Sequence, residues 1–259
     1  MQLDGRELSY AFLMFVRMSG HTLISPIFGH RSVPAPLKIG FALILSGLLL
    51  ATHPPQADFL EPGLLTFVVQ LLRETSIGLM IGFIAQVFIS LTLTAGQIID
   101  VELGLGIGSV LDPQNYSQSP VSGVLLNLLV LLYFLQSNGH LHLIRILAAS
   151  LDHVPVGASL LLPNLGVLLV SQFALGFGLA VSLSLPLIGT ALLVELVLGI
   201  LARSIPQINA YMVGIPLKIL LGLTVLLGLQ SLLGPFSSRV FEQLFLASEQ
   251  AVLLMGGGQ

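Results

Sequence analysis

TSIGLMIGFIAQVFISLTLTAGQII, residues 75–99, contains no Asp, Glu, Lys or Arg. A helix that crosses the hydrocarbon core of a bilayer needs about 20 mostly apolar residues, and this stretch meets that length. Residues 39–57, 113–144, 153–194 and 219–238 are free of the same four residue types. Composition agrees. The 259 residues are 55% hydrophobic and only 8% charged, with a mean hydropathy of +1.00. A soluble domain carries roughly 25% charged residues, so this chain has too little charge to cover a water-facing surface. The fold class expected is an all-α integral membrane protein.

Other counts narrow the chemistry. The formal net charge is −3, so there is no basic field to attract nucleic acid. Cysteine is absent, which excludes disulfides, thiolate metal sites and a cysteine nucleophile. Tryptophan is absent too, leaving an interfacial aromatic belt to tyrosine and phenylalanine. Met1–Glu7 holds Asp4, Arg6 and Glu7, and Arg17 interrupts the apolar run that follows. That is no signal peptide, and the chain is expected to stay uncleaved.

Helices are expected near 8–28, 37–52, 63–96, 121–138, 140–151, 158–185, 187–203 and 212–233, with an amphipathic tail over 236–254. Pro163, Asn164 and Pro186 are candidate breaks, giving kinked and broken helical hairpins. Arg31 and Lys38 make the 29–38 connector basic, whereas the proline-rich 53–62 connector is acidic. The positive-inside rule puts the first in the cytoplasm and the second outside. Later loops do not alternate, since Arg145 and Asp152 lie close together. Pro-Leu-Lys-Ile occurs at 36–39 and again at 216–219.

Charge inside apolar helices is selective. A charged residue at the bilayer centre costs about 2.5–3.5 kcal/mol on insertion scales, so it faces protein or water. Glu74, Gly78, Gly82 and Gln86 recur every four residues on one helical face, and Glu195, Gly199 and Arg203 repeat the arrangement. Two readings stay open: close helix packing with polar glue, or the lining of a transport path. A catalytic carboxylate is a third. Arg17 and His21 share a face, where Arg17 snorkels to the interface or pairs with a carboxylate on another helix. His140 and His142 point about 200° apart on a helix and cannot chelate one metal there. There is no H-E-x-x-H, G-x-S-x-G or Walker sequence. Gly104-Leu-Gly-Ile-Gly108 has the wrong spacing for a dinucleotide fingerprint and reads as flexible or closely packed backbone at a helix break.

Taken together, the landmarks resemble the flagellar biosynthetic protein FliR family of type III export-gate proteins, over about residues 10–245. They are Arg17, Pro26-Ile-Phe28, Pro34 and Lys38, then Glu74-x-x-x-Gly78-x-x-x-Gly82-Phe83. Ala95-Gly96, Gly104, Asp112-Pro113, Gly139-His140, Ser150 and Pro155 follow. The most specific block begins at Pro186 and reads Glu195-x-x-x-Gly199-x-x-x-Arg203-x-x-Pro206-Gln207-x-Asn209, ending Gly214-Ile-Pro216-Leu-Lys218. The resemblance implies one membrane-embedded domain over 1–259 within a hetero-oligomeric export gate, not an enzyme, with no cofactor or metal. The implied partners are FliP, FliQ, FlhB and FlhA, with unfolded flagellar subunits in transit and lipid around the assembly. It implies a multi-pass protein of the bacterial inner membrane, in the flagellar basal body, with part of the gate above the bilayer plane. It also implies a pore-closing plug loop over Gly104, Gly106, Gly108, Ser109, Asp112 and Pro113. Assembly roles are expected for Arg17, Glu74, Gly78, Gly82, Glu195, Gly199, Arg203, Pro206, Gln207, Asn209 and Lys218.

Three other readings are open. The matching subunit of a virulence injectisome is similar, although Asp112-Pro113 followed by Ser119-Pro120 looks more flagellar. A secondary transporter would show two matching halves, for which Pro-Leu-Lys-Ile is the one hint. An intramembrane hydrolase would use Ser109, His140 and Glu195.

Overall fold

The computed structural model describes residues 5–55, 63–105, 120–158, 165–205 and 210–257. Among them the regular structure is wholly helical. The helices are α1 (Gly5–Ile24), α2 (Ala35–Thr52), α3 (Leu64–Leu103), α4 (Val121–Gln136), α5 (Gly139–His153), α6 (Leu165–Ser204), α7 (Ala210–Gly228) and α8 (Gln230–Met255). Among the described residues, α2, α3 and α6 are each long and apolar enough to cross a membrane. The pairs α4–α5 and α7–α8 also qualify if each is one broken span. α3 and α6 each contain 40 residues. At 1.5 Å per residue each is about 60 Å long, twice the hydrocarbon thickness.

Helix ends follow local chemistry. α3 runs past the expected stop at 96 because nothing in Gln97–Leu103 breaks it. It ends in a Schellman motif in which Gly104 takes φ 75°, Leu105 N–H bonds Asp100 O at 2.9 Å and Gly104 N–H bonds Val101 O at 3.2 Å. Asn138 breaks α4 from α5 in the left-handed region, φ 58°, and its carbonyl accepts from Leu141 and His142. The break expected at Pro186 fails, since Pro186 lies inside α6, and Pro235, expected between helices, lies inside α8. Pro216 lies inside α7, within the helix expected over 212–233, and Pro163 and Asn164 lie outside the described residues. Proline removes one N–H and crowds the preceding turn, but neighbouring groups make this tolerable in apolar helices. Two residues before Pro186, the buried Ser184 hydroxyl is shared between Ala180 O and Ala95 O. The last break falls at Leu229 instead, and the final helix starts at Gln230 rather than at 236.

The chain forms two compact units, and α3, α6 and α8 each contribute to both. Unit 1 comprises 1–88, 137–173 and 241–259. Its α1 crosses α3 at glycine backbones. A Cβ added to Gly20 would lie 2.9 Å from Thr75 O, one on Gly78 2.0 Å from Arg17 O, and one on Gly82 2.9 Å from His21 O. Leu13, Met14, Met18, Ile77 and Ile81 fill the space beside this crossing and are almost wholly buried. Phe28 stacks on Phe41 at 4.2 Å, tying the α1–α2 connector to α2. Unit 2 comprises 89–136 and 174–240. There α3 meets α4 at a second glycine crossing, where a Cβ on Gly96 would sit 1.9 Å from Gly123 Cα. Close backbone approach of this kind is how apolar helices associate when water drives nothing.

Candidate functional site

Unit 1 buries a full positive charge. Arg17 on α1 has no exposed surface. Its Nε donates to Glu74 Oε2 on α3 at 2.5 Å. Nη1 donates to Ser150 O at 3.1 Å and to Ser150 Oγ at 3.2 Å, and Nη2 donates to Val154 O at 2.8 Å. The other Glu74 oxygen accepts from Gly157 N–H at 3.0 Å. One ion pair therefore fastens α1, α3, the end of α5 and the turn after it. Val154 O is available because α5 has stopped before it, whereas Ser150 O also accepts the capping N–H of Val154 at 2.9 Å. The last carbonyls of a helix have no intrahelical partner, and they lie at the negative end of the helix dipole, where a cation is favoured. His21, one turn on from Arg17, is also fully buried, and neither ring nitrogen has a partner among the described residues. It does not join the pair.

Unit 2 has its own polar set at the end of α3. The Asp100 carboxylate is buried and accepts the first free N–H of α4, from Ser122, at 3.2 and 3.3 Å. It acts as a cap supplied from a neighbouring helix. Thr92 Oγ1 bonds Asn127 Oδ1 at 3.0 Å, about two turns back along α3 and about one turn on along α4. On the other side Lys218 of α7 is ion-paired with Glu195 of α6 and reaches Glu102 O at 3.4 Å. The earlier copy of the Pro-Leu-Lys-Ile string acts differently in detail, since Lys38 donates to Gly29 O at 2.9 Å.

The family model for the bacterial export proteins, family 1, matches residues 8–244. The chain belongs to this family. It is 33% identical to flagellar biosynthetic protein FliR of Bacillus subtilis (strain 168), an alignment covering 96% of this chain and 97% of that one. It is 32% identical to the protein of that name from Escherichia coli (strain K12), covering 92% and 90%. It is 30% identical to that of Aquifex aeolicus (strain VF5), covering 90% of each.

In this export protein the expected site residues fall into distinct groups. Arg17, Glu74, Gly78 and Gly82 come together in unit 1, the glycines making the crossing that sets the charges side by side. Glu195 and Lys218 pair in unit 2. Gly199 and Arg203, on the same four-residue row, do not join them: a Cβ at Gly199 meets open space, and Arg203 is exposed. Gly104 is the left-handed residue that ends α3. Gly106, Gly108, Ser109, Asp112 and Pro113, and likewise Pro206, Gln207 and Asn209, lie outside the described residues. Asp100, Gly123, Val154 and Gly157 were not singled out from the sequence. Asp100 carried a usable signal, because an acid at the end of a long apolar run, if buried, needs a donor. Val154 and Gly157 take part through backbone atoms, which no residue pattern announces.

Proposed function

We infer that this chain is a subunit of the flagellar type III protein export gate, forming part of the channel that passes unfolded flagellar subunits across the bacterial inner membrane. The observation that carries the reading is end-to-end similarity to proteins named FliR. The physical features fit a gate subunit better than a self-contained carrier. α3 and α6 are too long for simple spans. α6 exposes Leu185, Leu192, Leu193, Leu196 and Ile200, an apolar surface that only lipid or neighbouring subunits can cover. FliP and FliQ are the proposed neighbours in the core of the basal body, with FlhB and FlhA joining it. The segment that leaves α3 at Gly104 is kept as the proposed plug. The role is passage and assembly rather than catalysis. A clean, non-polar deletion should abolish filaments and swimming, and plasmid-borne wild-type gene should restore both. Normal filaments in the deletion strain would refute the reading.

The row Glu195, Gly199, Arg203 supplies a second test. Because Gly199 faces open space within the chain, Gly199→Ala should leave the isolated subunit's melting temperature unchanged or slightly raised, as alanine favours a helix. If a partner helix seats there, Gly199→Ala and Arg203→Ala should each lower the yield of co-purified partner subunits several-fold. Unchanged partner yield for both variants would remove this face from the assembly surface.

A further inference from the structure

α5 and α8 are both amphipathic, each following a more uniformly apolar helix across a break. In unit 1 they face each other across an open cleft of about 370 Å³. His142, Arg145 and His153 line it from one face of α5, and Glu249, Val252 and Leu253 line it from α8. The charges are separately disposed. Glu249 Oε1 is 3.5 Å from His142 Nε2, and Phe245 stacks on that imidazole at 4.0 Å, which fixes the acidic side. Arg145 is exposed and forms no ion pair or hydrogen bond among the described residues. Asp152, the nearest acid in sequence, is taken by His53 at 3.2 Å. Leu253, in the cleft lining, is nearly half exposed, and Leu141 and Leu246 on the same two helices are exposed to a similar degree.

This lining is wrong for a simple ion. An anion attracted by Arg145 meets Glu249, and a cation attracted by Glu249 meets Arg145. It is complementary to a ligand carrying both charges a few bonds apart. A guanidinium matches two oxygens of a phosphate. A carboxylate suits a primary ammonium, which brings N–H donors. The exposed leucines suit acyl chains, and amphipathic helices place their polar face at headgroup depth. Basic pockets between membrane helices are known headgroup sites.

We propose that the α5–α8 cleft binds a zwitterionic phosphoethanolamine group, its phosphate on Arg145 and its ammonium on Glu249. The source is either phosphatidylethanolamine of the bilayer or a soluble phosphoethanolamine. The site is independent of the export reading.

The test uses the full chain with whatever partners co-purify, in detergent, by native mass spectrometry. Phosphatidylethanolamine, phosphatidylcholine, phosphatidylglycerol and soluble phosphoethanolamine are each titrated. Phosphatidylethanolamine should be retained in preference to phosphatidylcholine, whose quaternary ammonium has no N–H. Arg145→Gln should weaken retention about tenfold, the loss of one charge-assisted hydrogen bond. Glu249→Gln should erase the preference for ethanolamine over glycerol headgroups while leaving phosphate-dependent retention. Both side chains are exposed, so both variants should fold, and circular dichroism checks this. Binding of soluble phosphoethanolamine as tightly as the lipid makes the source a soluble one. Equal retention of all lipids by wild type and both variants overturns the proposal. So does a change confined to partner yield, which would make the cleft a protein interface.

Discussion

Arg17→Ala is expected to leave almost no folded protein in the membrane fraction. The substitution strands Glu74, which is 1% exposed, and leaves the Val154 carbonyl without its donor, while Ser150 O keeps only the capping bond from Val154 N–H. Breaking a buried pair by removing one partner costs about 3–5 kcal/mol, a large part of the roughly 5–15 kcal/mol that holds a domain together. Arg17→Lys keeps the charge and should still fail. A lysine has one ammonium where the guanidinium reaches three separate acceptor sites in a plane. The informative variant is the double change Arg17→Met with Glu74→Leu. Removing both charges leaves no unpaired ion, so it should be more abundant than either single change. Immunoblots of membrane fractions and the melting temperature of the purified protein decide the matter. Wild-type abundance for Arg17→Ala would mean that the pair contributes little.

The second large effect is steric. Gly96→Ala should lower the melting temperature sharply and abolish swimming. Its Cβ would lie 1.9 Å from Gly123 Cα and 2.1 Å from Gly123 N. Those atoms are backbone, so no side chain can swing aside and α3 and α4 must separate. Overpacking costs about 1–3 kcal/mol where side chains can adjust, and more is expected here. Separation would also pull Ser122 from Asp100 and Asn127 from Thr92. Gly78→Ala should act alike in unit 1, where the Cβ falls 2.0 Å from Arg17 O. Gly40→Ala is the control, since nothing lies within 4 Å of its Cβ. It should be neutral, or stabilising by about 0.5–1 kcal/mol. If Gly96→Ala and Gly40→Ala melt together, the crossing is looser than described.

The helices were legible because lipid-compatible helices write themselves as long charge-free runs, and the residues at 75–99 are such a run. Their ends were less legible. Proline reads as a stop in water, yet Pro186, Pro216 and Pro235 all lie within helices, where an apolar setting penalises any unwound alternative. The candidate site shows the same division. The four-residue spacing of Gly78 and Gly82 marks a smooth face, and that face is filled by α1. Gly199 has the same spacing beside Glu195 and faces open space. A pattern along one helix reports that a neighbour could approach, not which neighbour does. Arg17 read as snorkelling or paired. The choice rests on Glu74, 57 positions away, and on Ser150, 133 positions away, and no local period spans such distances.

Those separations also set an order in time. A ribosome adds about 5–20 residues per second, so α1 emerges on the order of ten seconds before Ser150 and Val154 exist to receive its guanidinium. During that interval the nascent helix carries an uncompensated cation, at about 2.5–3.5 kcal/mol if it enters hydrocarbon. The favourable course is for α1 to wait with Arg17 in water or among headgroups and to dock after α5 has been made. α1 then settles only after α5 has been made, and the ion pair serves as a checkpoint that closes only once the chain has been translated past Val154.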